Sequence, residues 1–136
     1  MELNKLNYVE EAEKVIKNMR RKDRNGKCIK DKNGKYIFDL TTSKIRNLLS
    51  MISQIYNVAS HETGEKINED LQSQVQYFKM RFAYEAGRER AVEDFQEKAE
   101  IFSNVDKIGD SREKLICFCH YMEALVAYHR FYGGRD

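Results

Sequence analysis

A chain of 136 residues with no proline and only seven glycines has little with which to reverse direction repeatedly. Average usage would supply about 7 prolines and about 9 glycines over this length. A sandwich or barrel of short strands needs such residues at every turn. An all-β fold is thereby disfavoured, and an all-α fold is expected. The length suits one domain spanning residues 1–136, large enough to bury a core without disulfides or metal. Apolar residues make up 41% of the chain, with seven Phe and eight Tyr, which is too aromatic for a disordered tail.

Hydrophobic spacing locates the helices. Val9, Ala12, Ile16 and Met19 fall at helical intervals within Tyr8 to Met19. After a basic stretch, Thr41 or Thr42 offers an N-cap. Ile45, Leu48, Leu49, Ile52, Tyr56 and Ala59 then form a core-facing stripe. Leu71, Val75, Phe78 and Phe82 mark a third helix. Gly87 either ends it or lies inside a longer helix running on through Val92, Phe95, Ala99 and Phe102. Asp110-Ser-Arg-Glu113 resembles a capping box and opens a last helix from about Ser111 to Tyr132. That helix buries Leu115, Phe118, Met122, Leu125 and His129, and Gly133-Gly134 stops it. The expected architecture is a compact bundle of about five helices with an irregular basic insertion after the first. Asn25-Gly26 and Asn33-Gly34 are turn signals within that insertion, which reads either as a small hairpin or as a mobile loop. No internal repeat is apparent.

Charge is unevenly placed. The net charge is only +2, yet Lys17 to Lys35 holds nine basic residues against Asp23 and Asp31, while Glu89 to Glu113 holds eight acids against four bases. This polarity suits an anionic partner on one side, and equally suits copies packing head to tail. Three cysteines do not suggest a secreted disulfide framework. The N-terminal MELNKLNYVEEAEKV lacks the apolar core of a signal peptide, and no run approaches about 18 apolar residues. A soluble, cytoplasmic protein is expected, with no membrane partner.

Enzyme signatures are missing. The sequence contains no GxxxxGK[ST], GxGxxG, GxSxG, HExxH or paired CxxC. Cys117 and Cys119, beside His120, lie about 200° apart on a regular helix, so both do not reach one ion. Neither His61 nor His129 has a partner at catalytic spacing. No cofactor or metal is expected.

The basic faces are more informative. No carboxylate occurs from Thr41 to Ser60, where Lys44 and Arg46 precede Asn47, Ser50, Ser53, Gln54 and Asn57. Arg46, Ser50, Ser53 and Asn57 share one helical face, a surface suited to phosphates. The bland reading is an ordinary solvated face. In the third helix Tyr77, Arg81, Tyr84 and Arg88 share a face, with Lys79 nearby. Arginine forks pair with phosphate and tyrosine rings stack on unpaired bases. The opposing reading has these arginines paired with Glu85 or Glu89. The insertion from Arg20 to Lys35 is a third basic surface.

Two blocks carry a family resemblance. Leu40-Thr-Thr-Ser-Lys-Ile-Arg46, continuing to Asn57, resembles the second-helix region of the small subunit of type III-A (Csm) CRISPR–Cas effector complexes. Lys79-Met-Arg-Phe-Ala-Tyr-Glu-Ala-Gly-Arg88 resembles that family's basic helix ending in Gly-Arg. The resemblance implies a non-catalytic helical bundle, stacked in several copies as a filament inside a ribonucleoprotein. Its implied partners are the larger backbone subunits, the CRISPR RNA and target RNA. It would contact the target's sugar-phosphate backbone, since the guide reads sequence by base pairing. Lys44, Arg46, Lys79, Arg81 and Arg88 are the phosphate-contact candidates, with Arg90 as a sixth. A helical adaptor that binds only protein is the alternative, and an enzyme using Cys119, His120 or His129 is a further one.

Overall fold

The structure, a computed structural model, describes residues 1–135. Six helices follow in order: α1 (Tyr8–Asn18), α2 (Thr42–His61), α3 (Glu69–Arg88), α4 (Arg90–Ala99), α5 (Ile101–Asp106) and α6 (Arg112–Phe131). No sheet forms among the described residues, which bears out the all-α expectation. α6 is the central element, packing most extensively against α1 and α2. α3 lies between α2 and α4, and α4 touches α1, so the helices close around one core.

Capping explains the long helices. Thr41, not Thr42, caps α2, its hydroxyl accepting from the Lys44 N–H at 3.1 Å. Asn68 caps α3 through Leu71 at 2.8 Å, and Ser111 caps α6 through Lys114 at 3.1 Å. The cap is therefore Ser111 and not Asp110, whose carbonyl accepts from the Ile67 N–H instead.

The stripes read from sequence hold in α3 and α6, where every named residue is buried. α1 differs: Val9 is 44% exposed and Val15 is buried with Ala12 and Ile16. In α2, Ile55 joins the core, whereas Leu49 and Tyr56 are half-buried at its margin. Phe78 and Phe82 of α3 meet Phe118 of α6, Phe95 of α4 and Phe102 of α5, with ring centroids 5.8–6.2 Å apart. These edge and tilted contacts add to area burial.

The continuous helix allowed beyond Gly87 is broken twice. Gly87 stays within α3, and Glu89 (φ −140, ψ 118) both ends α3 and precedes α4. Glu100 is left-handed (φ 52), which redirects the chain so that Ile101, Val105 and Ile108 turn inward. The strain there is offset by polar contacts: the N-terminal ammonium lies 3.2 Å from the Glu100 carboxylate, and Asn104 donates to the Glu100 carbonyl at 2.9 Å.

The insertion takes the hairpin form in miniature and twice over: two tight turns in tandem, each closed by one antiparallel bridge, Lys22 with Cys28 and Lys30 with Tyr36. Contrary to the expectation of no internal repeat, they share one pattern, Lys22-Asp-Arg-Asn-Gly-Lys27 and Lys30-Asp-Lys-Asn-Gly-Lys35. In each turn the Asp carboxylate accepts two backbone N–H groups, from Asn25 and Lys27 or from Asn33 and Lys35, at 2.9–3.0 Å. Gly26 (φ 81) and Gly34 (φ 79) occupy the left-handed position that each turn requires. The chain's tail pins the insertion: Gly133 packs on Tyr36, and Arg135 lies 3.0 Å from Asp31. A Cβ at Gly133 (φ 120) would sit 2.8 Å from the Tyr36 carbonyl oxygen. Gly133→Ala is expected to destabilise the protein by about 2 kcal/mol, read as a lower melting temperature.

Candidate nucleic-acid interface

A groove runs between α2 and α3. Because Ile45, Leu48, Ile52 and Ile55 face the core, Asn47, Ser50, Met51 and Gln54 fall along the flank of α2 nearest α3. Arg81 and Glu85 form the opposite wall, and Lys44 closes one end. This section has a volume of about 390 Å³. The groove continues past Met51, Gln54 and Arg81 to Gln74, Tyr77 and Phe78 in a hollow of about 260 Å³.

The polar face read on α2 divides in three dimensions. Ser50 borders this groove, while Ser53 and Asn57 border a hollow on the other flank with Cys119 and Glu123. Both serine hydroxyls donate back to their own helix, Ser50 to the Asn47 carbonyl at 2.7 Å and Ser53 to that of Leu49 at 3.2 Å. On the α2 wall the neutral donors are therefore the amides of Asn47 and Gln54, with Gln74 facing the continuation from α3. Sequence reading named Asn47 and Gln54 only as members of a polar run; their 47/50/54 spacing was the available signal.

The six candidate cations separate by partner. Lys44 Nζ lies 2.9 Å from Glu85 and 3.5 Å from Glu89, with both Lys44 and Glu85 largely shielded. The hydrogen bond to Glu85 raises the Lys44 pKa above its ordinary value, and the same bond lowers that of Glu85. This pairing fastens the start of α2 to the end of α3. Lys79 donates to Asp106 at 2.6 Å and lies 5.7 Å from the Phe102 ring, tying α3 to α5. Arg88 is 3.4 Å from Glu85, and Arg90 is 3.3 Å from Asp94. Both arginines are well exposed, and exposed pairs within one helical turn are worth about 0.3–0.5 kcal/mol, so they exchange readily. Arg46 and Arg81 are exposed and make no ion pair among the described residues. Arg81 lies 6.0 Å from the Tyr77 ring, and Arg88 lies 5.5 Å from that of Tyr84. The opposing sequence reading thus holds for Arg88 with Glu85 and in part for Arg81, which makes no ion pair but whose charge helps to lower the Glu85 pKa, while Glu89 takes Lys44 instead.

Tyr77 (57% exposed), Met80 and Tyr84 stand out along the outer face of α3. Large side chains left in water in this pattern, interleaved with arginines, form a surface able to stack on flat rings and bind anions. Apart from Glu85 and Glu89, which hold Lys44, acidic residues gather on α4, where Glu93 has a raised pKa, first from burial and then from Glu97 and Asp94.

Cys117, Cys119 and His129 belong to the core, whereas Cys28 is half-buried in the insertion and His61 is exposed. Cys117 and Cys119 are buried, and burial pushes the Cys119 thiol up to about 12. His120 Nε2 lies 3.3 Å from the Tyr56 hydroxyl, with its ring near those of Tyr56 and Tyr8. Among the described residues no group of three or more His, Cys, Asp or Glu is placed to hold a metal ion. The thiolate is the reactive form, so a thiol reagent is expected to label Cys28 quickly in the native protein. Cys117 and Cys119 should react only after denaturation, which mass spectrometry of labelled peptides would read.

No helix among the described residues is long and apolar enough to cross a membrane. Residues 20–135 match the family model described as Csm2 type III-A. The chain is 45% identical over 130 residues to the CRISPR system Cms protein Csm2 of Streptococcus thermophilus, covering 96% of this chain and 94% of that one. It is 38% identical over 129 residues to the protein of the same name from Mycobacterium tuberculosis (95% and 94% covered). A third, from Enterococcus italicus, is 39% identical over 128 residues (92% and 89% covered). Sequence and length agree from the insertion to the tail, and the chain belongs to the type III-A Csm2 family, the small subunit of that CRISPR system.

Proposed function

We propose that this chain is a non-catalytic RNA-binding subunit of a cytoplasmic type III-A ribonucleoprotein. Several copies stack as a filament along the guide–target duplex and hold the target RNA by its backbone. The observation that carries the reading is the α2–α3 groove, where Arg81 has no ion pair among the described residues and the Asn47 and Gln54 amides stand beside it. Arg46, Arg88 and Arg90 extend the positive surface along the same two helices and onto α4. Their forks match phosphate geometry and carry no base preference, as a subunit serving any guide sequence requires. Lys44 and Lys79 act as positioning groups that fix α2 and α5 against α3. The larger backbone subunits and the CRISPR RNA complete the assembly, and no cofactor takes part.

The pairing of Lys44 and Lys79 within the chain favours a second reading, a helical adaptor that binds protein alone. Direct titration separates the two. The RNA-binding chain has an affinity for labelled single-stranded RNA that falls with the logarithm of salt by about 0.7 per neutralised phosphate. An adaptor has none, and a flat titration at low salt would refute the first reading.

A further inference from the structure

The tandem double turn is the strongest feature that the α2–α3 groove leaves unused. Its hydrogen bonding makes a rigid support. Arg21, Ile29 and Ile37 lie eight residues apart at its base and bond in a closed ring: the Ile29 N–H donates to the Arg21 carbonyl at 2.8 Å, Ile37 to Ile29 at 3.3 Å, and Arg21 to Ile37 at 2.8 Å. The two turns above this ring repeat each other bond for bond. Asp23 and Asp31 donate their N–H groups to the Lys27 and Lys35 carbonyls at 2.9 and 2.8 Å, and Gly26 and Gly34 donate to the Asp carbonyls at 3.1 and 3.0 Å. Tyr36 has Arg20 (4.5 Å) and Lys30 (5.0 Å) over its ring and packs on Tyr132 of the tail.

The acids of this segment are consumed internally. Asp23 and Asp31 satisfy turn amides, Asp31 also meets Arg135, and Asp39 pairs with Arg21. Backbone donation from Lys35 lowers the Asp31 pKa, so the carboxylate and the turn it holds persist further into acid than a free aspartate would. Lys22, Arg24, Lys27, Lys32 and Lys35 are all exposed, with no ion pair among the described residues. A fixed scaffold that repeats the same cations fits a ligand that repeats the same anion. The segment leads directly into the start of α2, whose Lys44 is tied to the end of α3 that bears Arg88. It thus lies at one end of the proposed groove.

We propose that the double turn is a second, separately built platform for single-stranded RNA phosphates, extending the path set by Arg46, Arg81 and Arg88. This inference rests on the RNA-binding reading above. The test uses the full chain and fluorescein-labelled oligouridylate of about twenty nucleotides, titrated by anisotropy across a salt series. In the variant Lys22→Gln/Lys27→Gln/Lys32→Gln/Lys35→Gln every Asp and Gly of the turns is kept, so circular dichroism and melting should match wild type. The expected result is about ten-fold or greater loss of affinity at about 0.1 M salt, with a salt slope shallower by about 2 to 3. Affinity and slope within about two-fold of wild type overturn the platform. If Arg46→Gln/Arg81→Gln then loses binding, the groove reading survives alone; if wild type itself fails to bind, both fall. Unchanged RNA binding with a shift in sedimentation would assign the double turn to an acidic protein surface and also overturn the proposal.

Discussion

His129→Ala is expected to lower the melting temperature by about 10–20 °C, for a loss of about 3–5 kcal/mol. His129 is fully buried near the end of α6, and its Nε2–H donates to the Leu40 carbonyl at 2.8 Å. That bond fixes Leu40, the residue before the α2 cap Thr41, to the central helix. The ring also lies 4.9 Å from Phe38, and Gly134 packs so closely on it that no side chain fits at that position. Alanine leaves a cavity and strands a buried carbonyl, two penalties that add. Because Nε2 carries the proton, Nδ1 is bare, and it has no hydrogen-bond partner. Burial lowers the His129 pKa, with Arg130 acting in the same direction and the Leu40 bond opposing. An unfolded histidine takes up a proton near pH 6.5 that the folded one declines. The stability from neutral His129 is therefore complete above about pH 6.5 and is lost as pH falls towards the lowered folded value. Melting followed from pH 7.5 to about 5.5 should show this decline in wild type and a weaker one in His129→Gln. Equal declines in both would assign the pH dependence to other groups.

The second large effect concerns binding. Arg46→Glu combined with Arg81→Glu is expected to weaken single-stranded RNA binding by about twenty-fold or more at about 0.1 M salt, since two phosphate contacts become repulsive. Both residues are exposed and off the core stripes of their helices, so helicity and melting should be preserved. Lys44→Gln makes the contrast. It removes a shielded partner of Glu85 and Glu89, so it should loosen the α2–α3 contact measurably while leaving less effect on the salt slope than the arginine pair. Full RNA affinity in a folded double variant would remove Arg46 and Arg81 from the interface.

How far the sequence leads is clearest residue by residue. Leu71, Val75, Phe78 and Phe82 were legible because one helical face meets one core, and periodicity reports that directly. The break at Glu100 was not legible: a left-handed glutamate held by the N-terminal ammonium and by Asn104 is a tertiary arrangement with no local signature. The double turn was half legible. Asn-Gly pairs announced the turns, but their stacking depends on a ring of backbone bonds among residues eight apart. For the proposed interface, residue type and spacing singled out the arginines of α2 and α3 as candidates. They did not reveal that Lys44 is held by Glu85 and Glu89 and Lys79 by Asp106, because each of these acids lies outside the helix of the lysine it holds. Nor did they separate Asn47 and Gln54 from Ser53 and Asn57, which depends on where α3 packs.

The central claim is that this chain works inside an RNA-guided assembly through its basic surfaces. Affinity purification of the tagged chain from cells that carry the complete system tests it most directly, with sequencing of bound RNA and identification of co-purifying proteins. The expected result is repeat-derived guide RNA together with larger subunits of a type III-A complex, and target RNA crosslinked to peptides bearing Arg46 or Arg81. Recovery of the complex with crosslinks confined to other subunits would contradict the proposed role, leaving a helical adaptor that touches only protein.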